Sequence, residues 1–354
     1  MNKITEKMET GKHIFCAIDL HQKKMLAGIA VDRGPIRFYE LDTDDAGGVA
    51  ELLRLWDDLR ERHSGSEAWF SYEASGSGFR LADVAREAGY RVSVLAPTNL
   101  PMTPKSRTNK TDKRDTVRVM DVVRGHVLAG ADLPSAWIPP VELRDDREVV
   151  RHRLCLSDKL TEVKNQVHGL LLRNGVKKPA SLKVNWTHKH LRWLWSLDGA
   201  LGQGAYFTLT SYLRELEFYL GEIASVDAAM VELSQSDRYR GPVAALTEIS
   251  GVAVLTAMVF LTELGDLSRF PNRRALGAYL GLTPRARESG EDETVSSLGE
   301  KLMFFQPVLK CGPSRRGKIK WAVGFCLRVR IAGCSDASNV VSIGSGLPQP
   351  HRPC

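Results

Sequence analysis

HIFCAIDLHQKKMLAGIAVDRGPIRFYELD, residues 13–42, decides the fold. Its apolar residues fall into three short runs, HIFCAIDL, KMLAGIAVD and PIRFYELD, parted by polar turns, one of them Asp32-Arg33-Gly34-Pro35. Aromatic and β-branched residues within the runs and Gly or Pro between them are what short strands joined by turns require. The chain is therefore expected to open on an antiparallel meander.

Working outward, GGVAELLRLWDDLRERH (47–63) sets Val49, Leu52, Leu53 and Trp56 at helical spacing, and EAWFSYEAS (67–75) reads as a fourth strand. GFRLADVAREAG (78–89) is a helix ending at Gly89, and YRVSVLAPTN (90–99) a strand stopped by Pro97. In the EASGSGF turn, Ser77 is expected to cap the helix, with Gly76 and Gly78 easing the turn. Another helix starts near Thr111. A meander followed by alternating strands and helices predicts an α/β domain over residues 13–140, a mixed sheet with helices on its faces.

From Val141 to about Leu172 apolar residues recur at helical spacing in a charged background, and from Leu213 to Leu233 they step again by threes and fours. Two long helices folding back on each other, joined through Trp186, Trp193 and Trp195, give a helical arm over residues 141–240. Residues 246–282 are a compact apolar block with Gly251 between two helical runs, the core of a mainly α domain at 241–296. Beyond Ser296 the periodicity weakens, leaving a basic, divergent or disordered tail at 297–354.

The 354 residues exceed one ordinary domain, and 43% hydrophobic content can fill a core. Residues 1–12 are polar and charged, and the longest apolar run, Val252 to Leu261, is too short for a bilayer, so a soluble cytoplasmic protein without a membrane partner is expected. Six cysteines without a C-x-x-C pair argue against a zinc knuckle or a disulfide framework. The net charge of +7 sits in the tail, where residues 301–354 hold nine Lys/Arg and one acid. Any nucleic-acid contact in the remainder must come from local clusters, at 104–118 and 143–178.

Asp19 and Glu73 end the first and fourth strands, where open sheets present side chains to a ligand crevice, and neither has an obvious local charge partner. Asp112 and Asp115, three apart, share one face of the following helix. If that helix packs beside the two strands, four carboxylates converge, and they cannot all stay ionised without a cation. Oxygen ligands suit Mg²⁺ or Mn²⁺, which in pairs act on phosphodiesters. Taken singly, Asp112 also reads as a helix-start acid favoured by the dipole, and Asp19 and Glu73 as ordinary strand-end acids.

AIDLHQKK (17–24), YEASGSG (72–78), LAPTNL (95–100) and KTDKRDT (110–116) resemble the successive motifs of the DEDD-type insertion-sequence transposases, which include the Piv-type DNA invertases. The resemblance implies a ribonuclease-H-like (RuvC-like) fold, with Asp19, Glu73, Asp112 and Asp115 as catalytic metal ligands for Mg²⁺ or Mn²⁺. Lys110 and Thr111 match the family's neighbouring positions, and Lys110, Lys113 and Arg114 are expected phosphate contacts. Residues 249–290 resemble the family's C-terminal transposase domain, whose I-x-G-V stretch is similar to a helix-hairpin-helix with Gly251 freeing backbone N–H groups for a phosphate. There Arg269, Arg273 and Arg274 would meet the DNA backbone, and Ser289 is the serine assigned as the nucleophile. Members act as homo-oligomers on DNA, and some use a structured non-coding guide RNA. The correspondence is expected to lapse from about Glu291, so the tail reads as divergent or frameshifted. Alternatives are a Holliday-junction-type endonuclease, in which the acids activate water; a DNA-binding remnant; and, sharing the opening meander, an actin-like kinase lacking most of its phosphate loops.

Overall fold

The computed structural model of the chain describes residues 13–97, 100, 111–280, 286–289 and 292–295. It divides into two compact units, Met1–Ile138 and Pro139–Cys354.

In the first unit the meander forms as expected: β1 (His13–Leu20), β2 (Lys24–Val31) and β3 (Arg37–Asp42) pair antiparallel in sequence. β4 (Glu67–Glu73) lies parallel to β1 on its other side, and β5 (Val92–Leu95) parallel to β4, giving a five-stranded sheet of order β3-β2-β1-β4-β5. Helices α1 (Ala50–Arg62), α2 (Arg80–Glu87) and α3 (Asp112–Ala129) cover it.

Strand side chains alternate between faces, and here the alternation sorts two cores. Ile14, Cys16 and Ile18 pack with Phe70 and Tyr72 against Leu52 and Trp56 of α1 and Leu81, Ala82 and Ala85 of α2. Phe15 and Ala17 pack with Trp69 against Val119, Met120 and Val123 of α3. Burying each large apolar side chain contributes about 1.5–3 kcal/mol. α3 comes unusually close to β2: a Cβ placed on Gly28 would stand 2.6 Å from Thr116 Cγ2.

Ser77 does not cap α2. Phe79 occupies the cap position, and Ser77 is too far upstream to reach the first helical amides; its own N–H donates to Ser75 Oγ at 3.3 Å, inside a turn closed by Gly78 at φ +70°.

The second unit contains the two long helices, α4 (Val141–Arg173) and α6 (Gln203–Ser234), with the tryptophan-rich segment folded as α5 (His188–Trp195). α4 and α6 run antiparallel: Arg153 pairs with Asp227 at 2.6 Å, Lys159 lies over Tyr219, and Val167 shares a core with Leu209 and Leu213. Next come α7 (Arg240–Thr247), α8 (Val254–Leu264) and α9 (Arg273–Tyr279). Val150 and Met230 join Val243, Leu246, Phe260 and Leu276 in one core, so the base of the arm and the block that follows it form one packed body. Arg151 grips Glu263 with two bonds of 2.6 and 2.9 Å, while Arg147 donates to the carbonyls of Thr262 and Glu263, satisfying the end of α8.

A short hairpin, β6 (Ala286–Ser289) with β7 (Asp292–Val295), closes the described chain. ARES and DETV are too short and too charged to announce strands, so this part of an otherwise mainly α region was not legible. Among the described residues no helix is long and apolar enough to cross a membrane. The expected tail, residues 297–354, lies outside them.

Candidate functional site

The register of β1 on β4 runs from His13↔Glu67 to Ile18↔Tyr72. One further step sets Asp19 and Glu73 side by side at the carboxyl ends of two parallel strands. Both continue the odd-numbered series of Phe15, Ala17 and Trp69, the face that α3 covers. α3 begins at Asp112 after Thr111 in extended geometry, which places Asp112 and Asp115 in its first turn, where the helix dipole favours carboxylates. Asp112 is thus the first helical residue, with Thr111 at the cap position. Thr116, fully buried, donates its hydroxyl to the Asp112 carbonyl at 2.9 Å and wedges this turn against Gly28.

The acids have partners that sequence reasoning missed. His21 Nε2 lies 3.1 Å from Asp19 Oδ2 and 3.4 Å from Asp112 Oδ1. Arg118 Nη2 lies 2.6 Å from Glu73 Oε2 and 3.4 Å from Asp115 Oδ1. The expectation that Asp19 lacks a local charge partner is therefore corrected by His21, two residues on, while Glu73 meets a partner 45 residues away. Arg118 stands one helical turn beyond Asp115, a spacing that could have signalled it; nothing local links it to Glu73. Burial pushes the Asp19 carboxyl above its usual range; His21 opposes this, while the charges of Asp115 and Asp112 add to it.

Asp19, His21 and Asp112 each offer one ligand atom, all within 4.8 Å of one another. The carboxylate oxygens suit Mg²⁺ or Mn²⁺, and the imidazole nitrogen, a poor ligand for Mg²⁺, favours Mn²⁺ of the two. The donor set thus fits a divalent ion, with Asp115 close enough to act on Asp19 electrostatically. Glu73 and Asp115 each turn one carboxylate oxygen to Arg118.

Lys113 and Arg114 are exposed on the same first turn, Lys113 lying 5.6 Å from the Phe38 ring centre. Lys110 lies outside the described residues. In the second unit Gly251 takes φ +85° between α7 and α8, a left-handed conformation that suits glycine. Arg273 and Arg274 are exposed at the start of α9. Arg269, expected to meet the DNA backbone, is occupied within the unit: its guanidinium lies 4.1 Å from the Phe270 ring centre and 4.4 Å from that of Tyr279, and donates to the Leu264 carbonyl. Ser289 ends β6 opposite Asp292, and its side chain lies outside the described residues.

With this geometry in place, comparison with known proteins shows what the chain is similar to. The sequence profile of the Transposase IS116/IS110/IS902 family matches residues 243–301. The match runs past Glu291, where the correspondence was expected to lapse. The protein named "Putative transposase y4qE" of Sinorhizobium fredii (strain NBRC 101917 / NGR234) is 28% identical over 283 residues, covering 79% of this chain and 65% of that protein. The transposase for insertion sequence element IS1533 of Leptospira borgpetersenii is 28% identical over 205 residues, 57% of each chain. The transposase for insertion sequence element IS1111A of Coxiella burnetii (strain RSA 493 / Nine Mile phase I) is 23% identical over 217 residues, 60% of this chain and 56% of that protein. The matched stretch spans less than two thirds of each of these relatives. Residues 243–301 thus match the model of the Transposase IS116/IS110/IS902 family, and the chain is similar to proteins named as transposases.

Proposed function

We propose that the protein is a DNA transposase or site-specific recombinase that moves an insertion sequence by metal-assisted strand cleavage and rejoining. The observation that carries this reading is the placement of Asp19 and Glu73 at adjacent strand ends beneath the helical turn that bears Asp112 and Asp115. The strand order β3-β2-β1-β4-β5 supports a ribonuclease-H-like, RuvC-like domain with a DEDD acid set. The transposase names of the relatives support DNA as substrate.

In this reading Asp19, Glu73, Asp112 and Asp115 hold Mg²⁺ or Mn²⁺, which when bound neutralises and polarises the scissile phosphate. Lys113 and Arg114 bind flanking phosphates and fix the strand's register. Ser289 is the nucleophile: its Oγ bonds to phosphorus, its proton passes to a nearby base, and the departing strand takes the leaving oxygen. Before DNA arrives, Arg118 pairs with Glu73 and Asp115, and His21 lies against Asp19 and Asp112, within reach to add its imidazole nitrogen to the donor set. The family resemblance adds a homo-oligomer and, as in some members, a structured non-coding guide RNA.

The test is a titration of the full chain with Mg²⁺ and Mn²⁺, by calorimetry and by DNA strand processing, against Asp112→Asn and Asp115→Asn. Both variants should lose ion binding and processing together. Wild-type behaviour in both would sink the metal-site reading.

A further inference from the structure

The second unit separates its charge along the arm. The 35 residues from Val163 to Leu197 carry seven Lys/Arg and no Asp or Glu. Helix α6, packed along α4, carries five acids and a single basic residue, Arg214. The fold gathers the basic run at one end: the last turns of α4, the loop 174–187 and α5 close over a small core of Val167, Leu170, Leu171, Leu194 and Leu197 with Leu209 and Leu213 of α6. Arg173, Lys177, Lys183, Lys189 and Arg192 are exposed there.

The loop between α4 and α5 has 14 residues, longer than helix–helix connections usually are, and loops of that length without their own secondary structure are commonly functional. It is also pinned. Trp186 sits at φ +65° and donates its N–H to His190 Nδ1 at 3.1 Å, while Thr187 Oγ1 accepts from the His190 N–H at 3.3 Å. The Trp186 ring packs edge-on against His168 and His190, and Lys178 bonds Asn185. Five exposed cations on a fixed scaffold, in a stretch that supplies no acid, repel one another; a polyanion relieves that repulsion. Within the stretch the indoles of Trp186 and Trp193 pack on histidines, so cations rather than free aromatic faces are presented. That favours contact with a phosphate backbone over stacking of unpaired bases.

We propose that this end of the helical arm docks the phosphate backbone of duplex DNA. The choice of DNA rests on the transposase reading above; the surface itself rests on charge and position. It lies apart in sequence from the expected phosphate contacts at 110–114 and 251–274, extends the basic cluster at 143–178 through Lys183, Lys189 and Arg192, and gives the arm a role in holding substrate.

The experiment measures the affinity of the full chain for a random-sequence DNA duplex across a salt series, without divalent ions, so that no strand processing occurs. Each phosphate neutralised contributes about 0.9 to the salt slope of the binding constant. The triple variant Lys177→Ala/Lys183→Ala/Lys189→Ala should lower the slope by about 2–3 and weaken binding roughly tenfold or more near physiological salt. The control Arg33→Ala/Arg62→Ala/Arg86→Ala removes the same charge from exposed positions of the first unit and should change the slope by much less. Circular dichroism should show the same helix content in all three proteins. The proposal is overturned if the arm variant keeps the wild-type slope, if the control lowers it equally, or if the arm variant loses affinity for a structured RNA while duplex DNA is unaffected. Failure of the transposase reading looks different: strand processing with Mg²⁺ would be absent even in wild type, while the slope change remained.

Discussion

Arg118 Nη2 lies 2.6 Å from Glu73 Oε2 and 3.4 Å from Asp115 Oδ1, so a single guanidinium answers two of the four converging acids. All three side chains are largely buried, so losing that cation is costly. Arg118→Ala should lower the stability of the metal-free protein by about 1–3 kcal/mol, because two acids lose their charged partner. It should also free both acids for a divalent ion. Thermal unfolding with EDTA and with Mg²⁺ checks this: Mg²⁺ should raise the melting temperature more in the variant than in wild type, and equal shifts would refute the idea that Arg118 competes with the ion.

Gly28 sets how closely α3 approaches β2. An added Cβ would meet Thr116 Cγ2 at 2.6 Å and Ile36 Cγ2 at 3.0 Å. Gly28→Ala should therefore push the first turn of α3 outward, costing about 1–3 kcal/mol by overpacking, and should weaken divalent-ion binding by displacing Asp112. Thr116→Ser removes Cγ2 and keeps the hydroxyl, so the double variant should recover part of both losses. A double-mutant cycle in urea measures the coupling; strictly additive effects would mean that the close approach does not position the acids.

The sheet was legible because apolar alternation and turn residues coincide along residues 13–42, and the long helices because a three-to-four spacing persists over some thirty residues. Asp19 and Glu73 were legible as strand ends, and strand parity then fixes the face they occupy. What was not legible depends on tertiary proximity. Arg118 is 45 residues from Glu73, and only the closing of α3 onto the sheet joins them. The contacts of Arg269 with the Phe270 and Tyr279 rings and the Leu264 carbonyl likewise arise only once α8 and α9 fold together. Ser77 failed as a cap because the glycine turn shifts the helix start to Arg80.

Burial, reinforced by the charges of Lys178 and His168, holds the His190 imidazole below its usual range. The sign follows: the neutral ring is the form the fold prefers, so its stabilising contribution is complete above the unfolded value of about 6.5 and is lost as pH falls through the lower folded value. Protonation removes the acceptor that Nδ1 offers to the Trp186 N–H. Tryptophan fluorescence and unfolding should therefore show wild type losing its advantage over His190→Ala on acidification, from about 1–3 kcal/mol near neutrality. A constant difference between about pH 8 and pH 5 would contradict this.

Ser289 separates two chemistries that the acid cluster alone permits. If its Oγ attacks phosphorus, Ser289→Ala abolishes strand exchange and the covalent protein–DNA adduct, whereas if the acids activate water the variant still cuts and only structure could suffer. The residue ends β6, opposite Asp292. Alanine tolerates extended backbone there, and circular dichroism of the variant should match wild type, so that a lost activity reports on the hydroxyl. Denaturing electrophoresis of reactions with labelled DNA and Mn²⁺ should show a slow-migrating adduct for wild type and none for the variant. Strand exchange that survives in Ser289→Ala would transfer the chemistry to water and leave the carboxylates as its sole agents.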